Sequence, residues 1–308
     1  MATLQRQPSG PISLLLSRHL IGRSRLAALR LDDPTVSGEH AVMRWTGVEW
    51  ELHDLGSRNG TSVDGRALVT GERTVLARGA VVTFGNGAES WKLIDDSPPS
   101  VLALPADGGT ATAARNDLLA LPNDDDPRAV IYRDAAGDWV LERNGEQNLI
   151  RDRQTVQLGA QSFLIRVPDL IEPTWERKAD ELHLRTLTLR FEVSRDEEYV
   201  RIEAISGERR VDLGARAHHA VLLMLARRRL ADRSADGGGI PKSAEGWVYQ
   251  DDLAKMLAMD EAHLNVAVFR CRRQLGEIGV LGAADVVERR RPTRELRLGV
   301  AQVEIVRV

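Results

Sequence analysis

The chain has 308 residues, 43% hydrophobic and 28% charged, with a formal net charge of −3, so it is too long for one small core and is expected to fold as two or three domains. No apolar run approaches the roughly 18 residues of a membrane span, and a single Cys271 with seven scattered His excludes an internal disulfide and gives no zinc-ligand spacing, so no metal and no cofactor are expected. The near-neutral charge excludes a uniformly basic chain, and any nucleic-acid surface must be a local patch offset by acidic stretches such as Asp124, Asp125 and Asp126.

At the N-terminus no basic segment precedes a long apolar core, so no secretory signal is read and a cytoplasmic location is the expectation. From about Ser13 to Asp95 apolar residues alternate with polar ones, as Trp50 and Leu52 do with Glu49, Glu51 and His53, and Gly-rich turns separate short runs. This pattern predicts an all-β sandwich with a tight hairpin at Val63-Asp64-Gly65. Two prolines in "DDSPPS" (95–100) mark a boundary. From about Val101 to Pro168 the chain reads as a worn copy of the first domain: "AVIYRDAAGDWVLE" (129–142) parallels "AVMRWTGVEWELHD" (41–54). An unrelated β-linker domain is the alternative. After "DLIEPTWER" come two strands, "LTLRFEVS" and "YVRIEAIS", and then helical periodicity. Ala220, Leu223 and Met224 mark a first helix and Leu253, Met256 and Leu257 a second. Leu264, Ala267, Val268, Cys271 and Leu275 mark a third. "GGGIPKSAEG" reads as a loop between the first two, and "DVVERRRPTRELRLG" as an arginine-rich hairpin.

The turn "HDLGSRNGTSVDG" (53–65) has more hydrogen-bonding capacity than chain reversal needs, through Ser57, Arg58, Asn59, Gly60 and Thr61. Two upstream loops add Arg23 and Ser37. A phosphate monoester, with about −1.5 to −2 charges and three acceptor oxygens, requires an Arg and several aimed neutral donors. Each residue taken alone is ordinary surface or turn chemistry. Together, Gly22-Arg23, Ser37-x-x-His40 and Ser57-Arg58-Asn59-Gly60-Thr61 resemble the forkhead-associated (FHA) family, a β-sandwich that binds phosphothreonine peptides, over roughly residues 10–95. The resemblance implies that Arg23 and Ser37 bind the phosphate, that Arg58 and Ser57 contribute to the phosphopeptide site, and that Asn59 bonds the peptide backbone. Gly22, His40 and Gly60 would be scaffold. In the copy Arg115 could stand where Arg23 does, but no Ser-x-x-His appears and "RNGEQ" (143–147) lies among shortened strands, so no phosphate binding and a packing role are expected.

The third helix places Asn265, Val266, Phe269, Arg270 and Arg273 away from its apolar stripe, and a solvated face is the plain explanation. Strands, three helices with a basic third one, then an Arg-rich hairpin also resemble the OmpR-type winged helix-turn-helix of response regulators, over about residues 182–300. By that resemblance "HLNVAVFRCRRQLGEIGV" (263–280) is the recognition helix. Asn265, Phe269, Arg270, Arg272 and Arg273, with Arg289, Arg290, Arg291 and Arg294 of the hairpin, are then the candidates for duplex DNA. Pro292-Thr293 and the long loop before the second helix depart from the family pattern.

The fold expected is therefore multidomain: an FHA-like all-β sandwich at 10–97, a degenerate FHA-like β domain at 98–170 and a C-terminal α+β winged helix at 175–308. The function expected is a regulator coupling a phosphothreonine-containing protein, such as a Ser/Thr kinase or its substrate, to DNA binding and transcription. A signalling adaptor whose winged helix binds protein is the alternative. No nucleophile–base pair is visible, "GGGIPKS" lacks the Gly a P-loop places before its Lys, and an enzyme is not expected.

Overall fold

Alternation of apolar and polar residues makes the N-terminal strands two-faced: in Trp50–Asp54 the side chains of Trp50, Leu52 and Asp54 are buried while Glu51 and His53 are half-buried. The computed structural model describes residues 1–87, 89–134, 136–169, 182–234, 241, 243–290 and 293–308. They form two units, one within residues 1–113, 152–156 and 162–169 and the other within 114–151, 157–161 and 182–308.

The first unit opens with β1 (Thr3–Arg6), β2 (Ile12–Leu14), β3 (Arg18–Gly22), β4 (Leu29–Arg30), β5 (Ala41–Trp45) and β6 (Trp50–Asp54). It continues with β7 (Thr61–Val63), β8 (Arg66–Ala67), β9 (Arg73–Leu76), β10 (Val81–Phe84) and β11 (Ser90–Asp95). These make two sheets, ordered β2-β1-β11-β10-β7-β8 and β4-β3-β5-β6-β9. Leu4, Ile21, Met43, Trp50, Leu52, Val82, Phe84 and Leu93 share one core. The sandwich begins before residue 10, because Leu4 of β1 pairs with Leu93 of β11. A strand reading Thr-Leu-Gln-Arg carries a single large apolar residue, too little periodicity to be seen. The Asp64-Gly65 turn forms as expected, both residues having positive φ (50° and 80°), the two-residue geometry that matches strand twist.

Beyond the Pro98-Pro99 break, β12 (Leu102–Pro105) pairs with β13 (Thr112–Ala113) and with β19 (Gln161–Arg166), which follows β18 (Thr155–Leu158). The segment read as one domain over 98–170 contributes to both units. In the second unit, β14 (Leu118–Pro122), β15 (Pro127–Arg133), β16 (Trp139–Arg143) and β17 (Glu146–Leu149) form one antiparallel meander. β14 lies antiparallel to β15 as β3 does to β5. Arg115 precedes β14 whereas Arg23 follows β3, so the two arginines sit at opposite ends of comparable strands.

The rest of the second unit begins with β20 (Thr188–Val193), β21 (Val200–Ser206) and β22 (Arg209–Ala215), joined by the last strand, β26 (Gln302–Arg307), parallel to β20. Between them lie α1 (His219–Ser234), β23 (Val248–Tyr249), α2 (Gln250–Met256), α3 (Glu261–Glu277) and the hairpin β24 (Val287–Arg290) and β25 (Glu295–Leu298). α3 starts at Asp260, whose side chain accepts from the His263 amide at 2.8 Å. Its apolar stripe, Leu264, Ala267, Val268, Cys271 and Leu275, packs with Leu223, Leu253, Phe191 and Leu296 in the main core. β22 and β26 are additions to the sequence reading. Most of the "GGGIPKS" loop lies outside the described residues. Among the described residues no helix is long and apolar enough to cross a membrane.

Two imidazoles inside the first unit set its acid response. Burial, reinforced by Arg166, brings His19 down to about 4, and burial also lowers His40. Both folded-state values lie below the ordinary 6.5, so between them the unfolded chain binds protons that the folded one refuses. Stability from His19 is complete above pH 6.5 and is lost as pH falls toward 4, and the lowered His40 contributes in the same direction. We expect the melting temperature of the first unit to drop across that window, and His19→Gln, which cannot titrate, to flatten the drop in pH-resolved thermal melts.

Candidate functional site

At one end of the sandwich three loops converge on Ser37. Its carbonyl accepts the Arg23 amide at 3.0 Å and its hydroxyl accepts the Arg58 amide at 3.1 Å. Its own amide donates to His40 Nδ1 at 3.0 Å. That bond leaves Nδ1 unprotonated, so Nε2 carries the ring proton and donates it to the Gly60 carbonyl at 3.0 Å. His40 is fully buried and ties the Ser37 loop to the 56–60 turn. Gly22 is required where these loops meet, because a Cβ there would lie 2.2 Å from the Gly38 carbonyl oxygen. Gly60 holds a left-handed φ of 80°.

The turn is organised from beneath by Asp54, which the sequence reading did not single out. Its carboxylate accepts from the amides of Gly56 and Ser57 at 2.9 Å each, from the Ser57 hydroxyl at 2.7 Å and from the Thr61 hydroxyl at 2.6 Å. Burial pushes this carboxyl up, and the hydrogen bonds outweigh it and hold the group below its usual value. An Asp two residues before Gly-Ser is the local signal that could have found it. The Ser57 hydroxyl, expected among the phosphopeptide contacts, donates to Asp54 in this geometry and braces the turn. Asn59 donates to the Thr35 carbonyl at 2.7 Å and keeps its side-chain carbonyl for a ligand. Arg23 and Arg58 are exposed, and among the described residues neither guanidinium has an ion-pair or hydrogen-bond partner. The face thus offers two unneutralised cations around one oriented hydroxyl, an arrangement matched to a phosphate dianion.

Residues 19–85 match the FHA domain model. The chain is 39% identical over 69 residues to the FHA domain-containing protein FhaB of Mycobacterium tuberculosis, in each of two strains, an alignment covering 22% of this chain and 43% of FhaB. It therefore spans less than half the length of the curated relatives it matches. Among solved structures, the FhaA FHA domain in complex with an intracellular domain is 34% identical, over 30% of this chain and 98% of that one, with a TM-score of 0.27. Mycobacterium tuberculosis EmbR in complex with a low affinity phosphopeptide is 25% identical, over 32% of this chain and 25% of that one, with a TM-score of 0.29.

The second set of expected residues is placed differently. Phe269 and Arg272 of α3 are buried, at 2% and 1% exposure, and so do not present a free surface. The reason is the meander β14–β17: Phe269 and Ala284 pack with Leu118, Ala120, Val130, Tyr132 and Val140 in a small core of their own. Arg272 lies 4.4 Å over the Tyr132 ring, pairs with Glu142 Oε2 at 3.0 Å and donates to the Val287 carbonyl at 3.0 Å. Arg289 is likewise enclosed, its side chain 2% exposed, with Nε 3.0 Å from Glu142 Oε1 as an ion pair outside hydrogen-bond alignment. Its other nitrogens donate to Gln250 Oε1 at 2.5 Å and Asn265 Oδ1 at 2.8 Å. Burial pushes Glu142 up, yet Arg272 and Arg289 hold it at about 2. Of the remaining candidates, Arg273 pairs with Asp124 at 2.6 Å, Arg294 with Glu261 at 2.6 Å, and Arg290 with Glu295 at 3.1 Å while stacking on Trp247. Arg291 lies outside the described residues. Arg270 is exposed and, among the described residues, has no hydrogen-bond or ion-pair partner.

Asp54 makes a prediction that separates bracing from contact. Asp54→Ala removes the common acceptor of four donors at a buried position and is expected to cost on the order of 3 kcal/mol of domain stability. Phosphopeptide affinity should weaken with it although Asp54 touches no ligand. Thermal melts and calorimetric titration of the same variant check both effects.

Proposed function

We propose that this chain is a phosphothreonine-peptide receptor joined to a winged-helix DNA-binding module, and that it acts as a phosphorylation-responsive transcription regulator. The carrying observation is the Ser37 cluster: two exposed arginines, unpaired among the described residues, whose backbone amides are both bonded to Ser37. Residues 19–85 match the FHA domain model, and FHA domains are phosphopeptide-recognition modules, which agrees with that reading. In it Arg23 and the Ser37 hydroxyl bind the phosphate, Arg58 adds charge, and Asn59 bonds the peptide backbone through its free carbonyl. The partner is a protein phosphorylated on threonine, such as a Ser/Thr kinase or its substrate.

The DNA-binding half rests on the order of strands, three helices and an arginine-bearing hairpin, and on the free Arg270 of α3. Burial of Arg272 and Phe269 is the observation that favours the second reading, an adaptor whose helical module serves protein contacts. Peptide binding can shift DNA affinity only if it favours one of two states that differ in that affinity.

Arg23→Ala and Ser37→Ala should each abolish binding of a phosphothreonine peptide library while leaving the melting temperature near wild type. Retained affinity in both variants would defeat the phosphate assignment. For the second half, selection of genomic fragments by the full-length protein across a salt series should enrich a site that Arg270→Ala and Arg273→Ala lose. Salt-sensitive retention without enrichment would mean phosphate contacts alone, and no retention at any salt would favour the adaptor.

A further inference from the structure

The contact between β14–β17 and α3 brings together groups that are individually expensive to bury. Two guanidiniums, Arg272 and Arg289, share one carboxylate, Glu142. Among the described residues three nitrogen donors at this contact, Arg272 Nε, Arg289 Nε and Gln250 Nε2, are buried without a hydrogen-bond partner. All three are donors, so the face carries more N–H groups than the sheet supplies acceptors. The apolar part is small and separate from the main core, with Phe269 and Ala284 as the contribution from the α3 side. At the margin Asp124 caps Arg273 at 2.6 Å, both side chains part-exposed. The sheet therefore meets the helix with negative charge, Glu142 and Asp124, and with the face of the Tyr132 ring under Arg272. Negative charge is what a nucleic-acid backbone would supply to the same arginines, and phosphates would also satisfy the donors left over.

We infer that β14–β17 is an intramolecular competitor for the α3–β24 face, and that Asn265, Arg272, Arg273 and Arg289 become available to the phosphate backbone of duplex DNA only when the sheet leaves it. This inference rests on the DNA-binding reading given above. The closed contact holds the face out of use, and its under-matched charge keeps closure reversible, since removing unpaired donors from water opposes it. The apparent affinity of such a face is the intrinsic one reduced by the fraction of molecules in which it is open.

The test uses the full chain, a short random-sequence duplex at low salt, and hydrogen exchange read by mass spectrometry. Glu142→Ala strands two cations and favours opening: exchange should rise across residues 118–149, and duplex affinity should tighten by about tenfold or more as the open fraction grows. Asp124→Lys alters a part-exposed side chain, leaves folding intact and should tighten binding by about threefold. Unchanged exchange in β20 and β21 shows that the unit remains folded. Adding Arg272→Ala to Glu142→Ala should remove the gain. Equal duplex affinity in wild type and both variants would overturn the competition while leaving DNA binding standing. Raised exchange over 118–149 with no duplex bound by any variant would overturn the DNA-binding reading, and with it the ligand assigned to this face.

Discussion

A guanidinium stays charged at any physiological pH, so the fold must either leave it in water or give it acceptors. That constraint sorts the arginines of this chain into two populations. Arg23 and Arg58 are held at the loop ends of the sandwich by their backbone amides, and their side chains are exposed and unpaired. Arg272 and Arg289 lie under the β14–β17 meander, and Glu142 is the carboxylate that makes their burial tolerable. Take Glu142 away and both cations lose the carboxylate that pairs them, Arg272 keeping only the more distant pull of Asp285, a loss of the kind that costs about 3–5 kcal/mol. The position of the meander on α3 therefore depends on this one carboxylate more than on the few apolar side chains around Phe269.

The loop face was largely legible in the sequence because its logic is local. Gly22-Arg23, Ser37-x-x-His40 and the 57–61 turn each bring their own geometry, and His40 has the spacing to receive the Ser37 amide within a single loop. The strand alternation of β6 and the Asp64-Gly65 hairpin were equally plain, since period and turn chemistry act over a few residues. Asp54 escaped notice because an acidic residue at the end of a strand reads as a solvated charge. Only the return of the turn over it reveals four donors converging on its oxygens. The bond from Ser57 to Asp54 was hidden for the same reason: a hydroxyl in a polar turn can face a ligand or the protein, and its partner here lies beneath it.

The helix face was illegible in a more instructive way. The stripe of Leu264, Ala267, Val268, Cys271 and Leu275 was correctly taken as core, but the opposite side was read as free. Its cover comes from residues 118–149, well over a hundred positions earlier, and no helical periodicity can report that. A signal did exist on the other partner. Val130, Ile131 and Tyr132 run without alternation, as do Leu118 to Leu121, the pattern of strands buried on both faces. Phe269, a large aromatic in the middle of an otherwise polar helix side, was the matching half.

The meander also shows how polar groups fix a docking register. Tyr132, Glu142 and Gln147 fall on one face because Tyr132 pairs with Val140 and Glu142 with Gln147. Gln147 donates to Tyr132, and both Tyr132 and Gln147 donate to Glu142. A slip of one residue would turn Leu141 toward Arg272 in place of Glu142 and bury the guanidinium against hydrocarbon. The turn that carries this arrangement is Asn144-Gly145, with φ of 51° and 73°. A Cβ on Gly145 would stand 2.6 Å from Gln250 Oε1, the atom that also accepts from Arg289. In the sandwich the sequence Arg58-Asn59-Gly60 forms part of a loop face open to a ligand. In the meander Arg143-Asn144-Gly145 is a tight reversal whose missing side chain lets the hairpin close on α2. The same three residue types form an exposed loop face in one place and an enclosed reversal in the other, and what separates them is whether a buried His and Asp hold the turn from below or a partner element presses on it from outside.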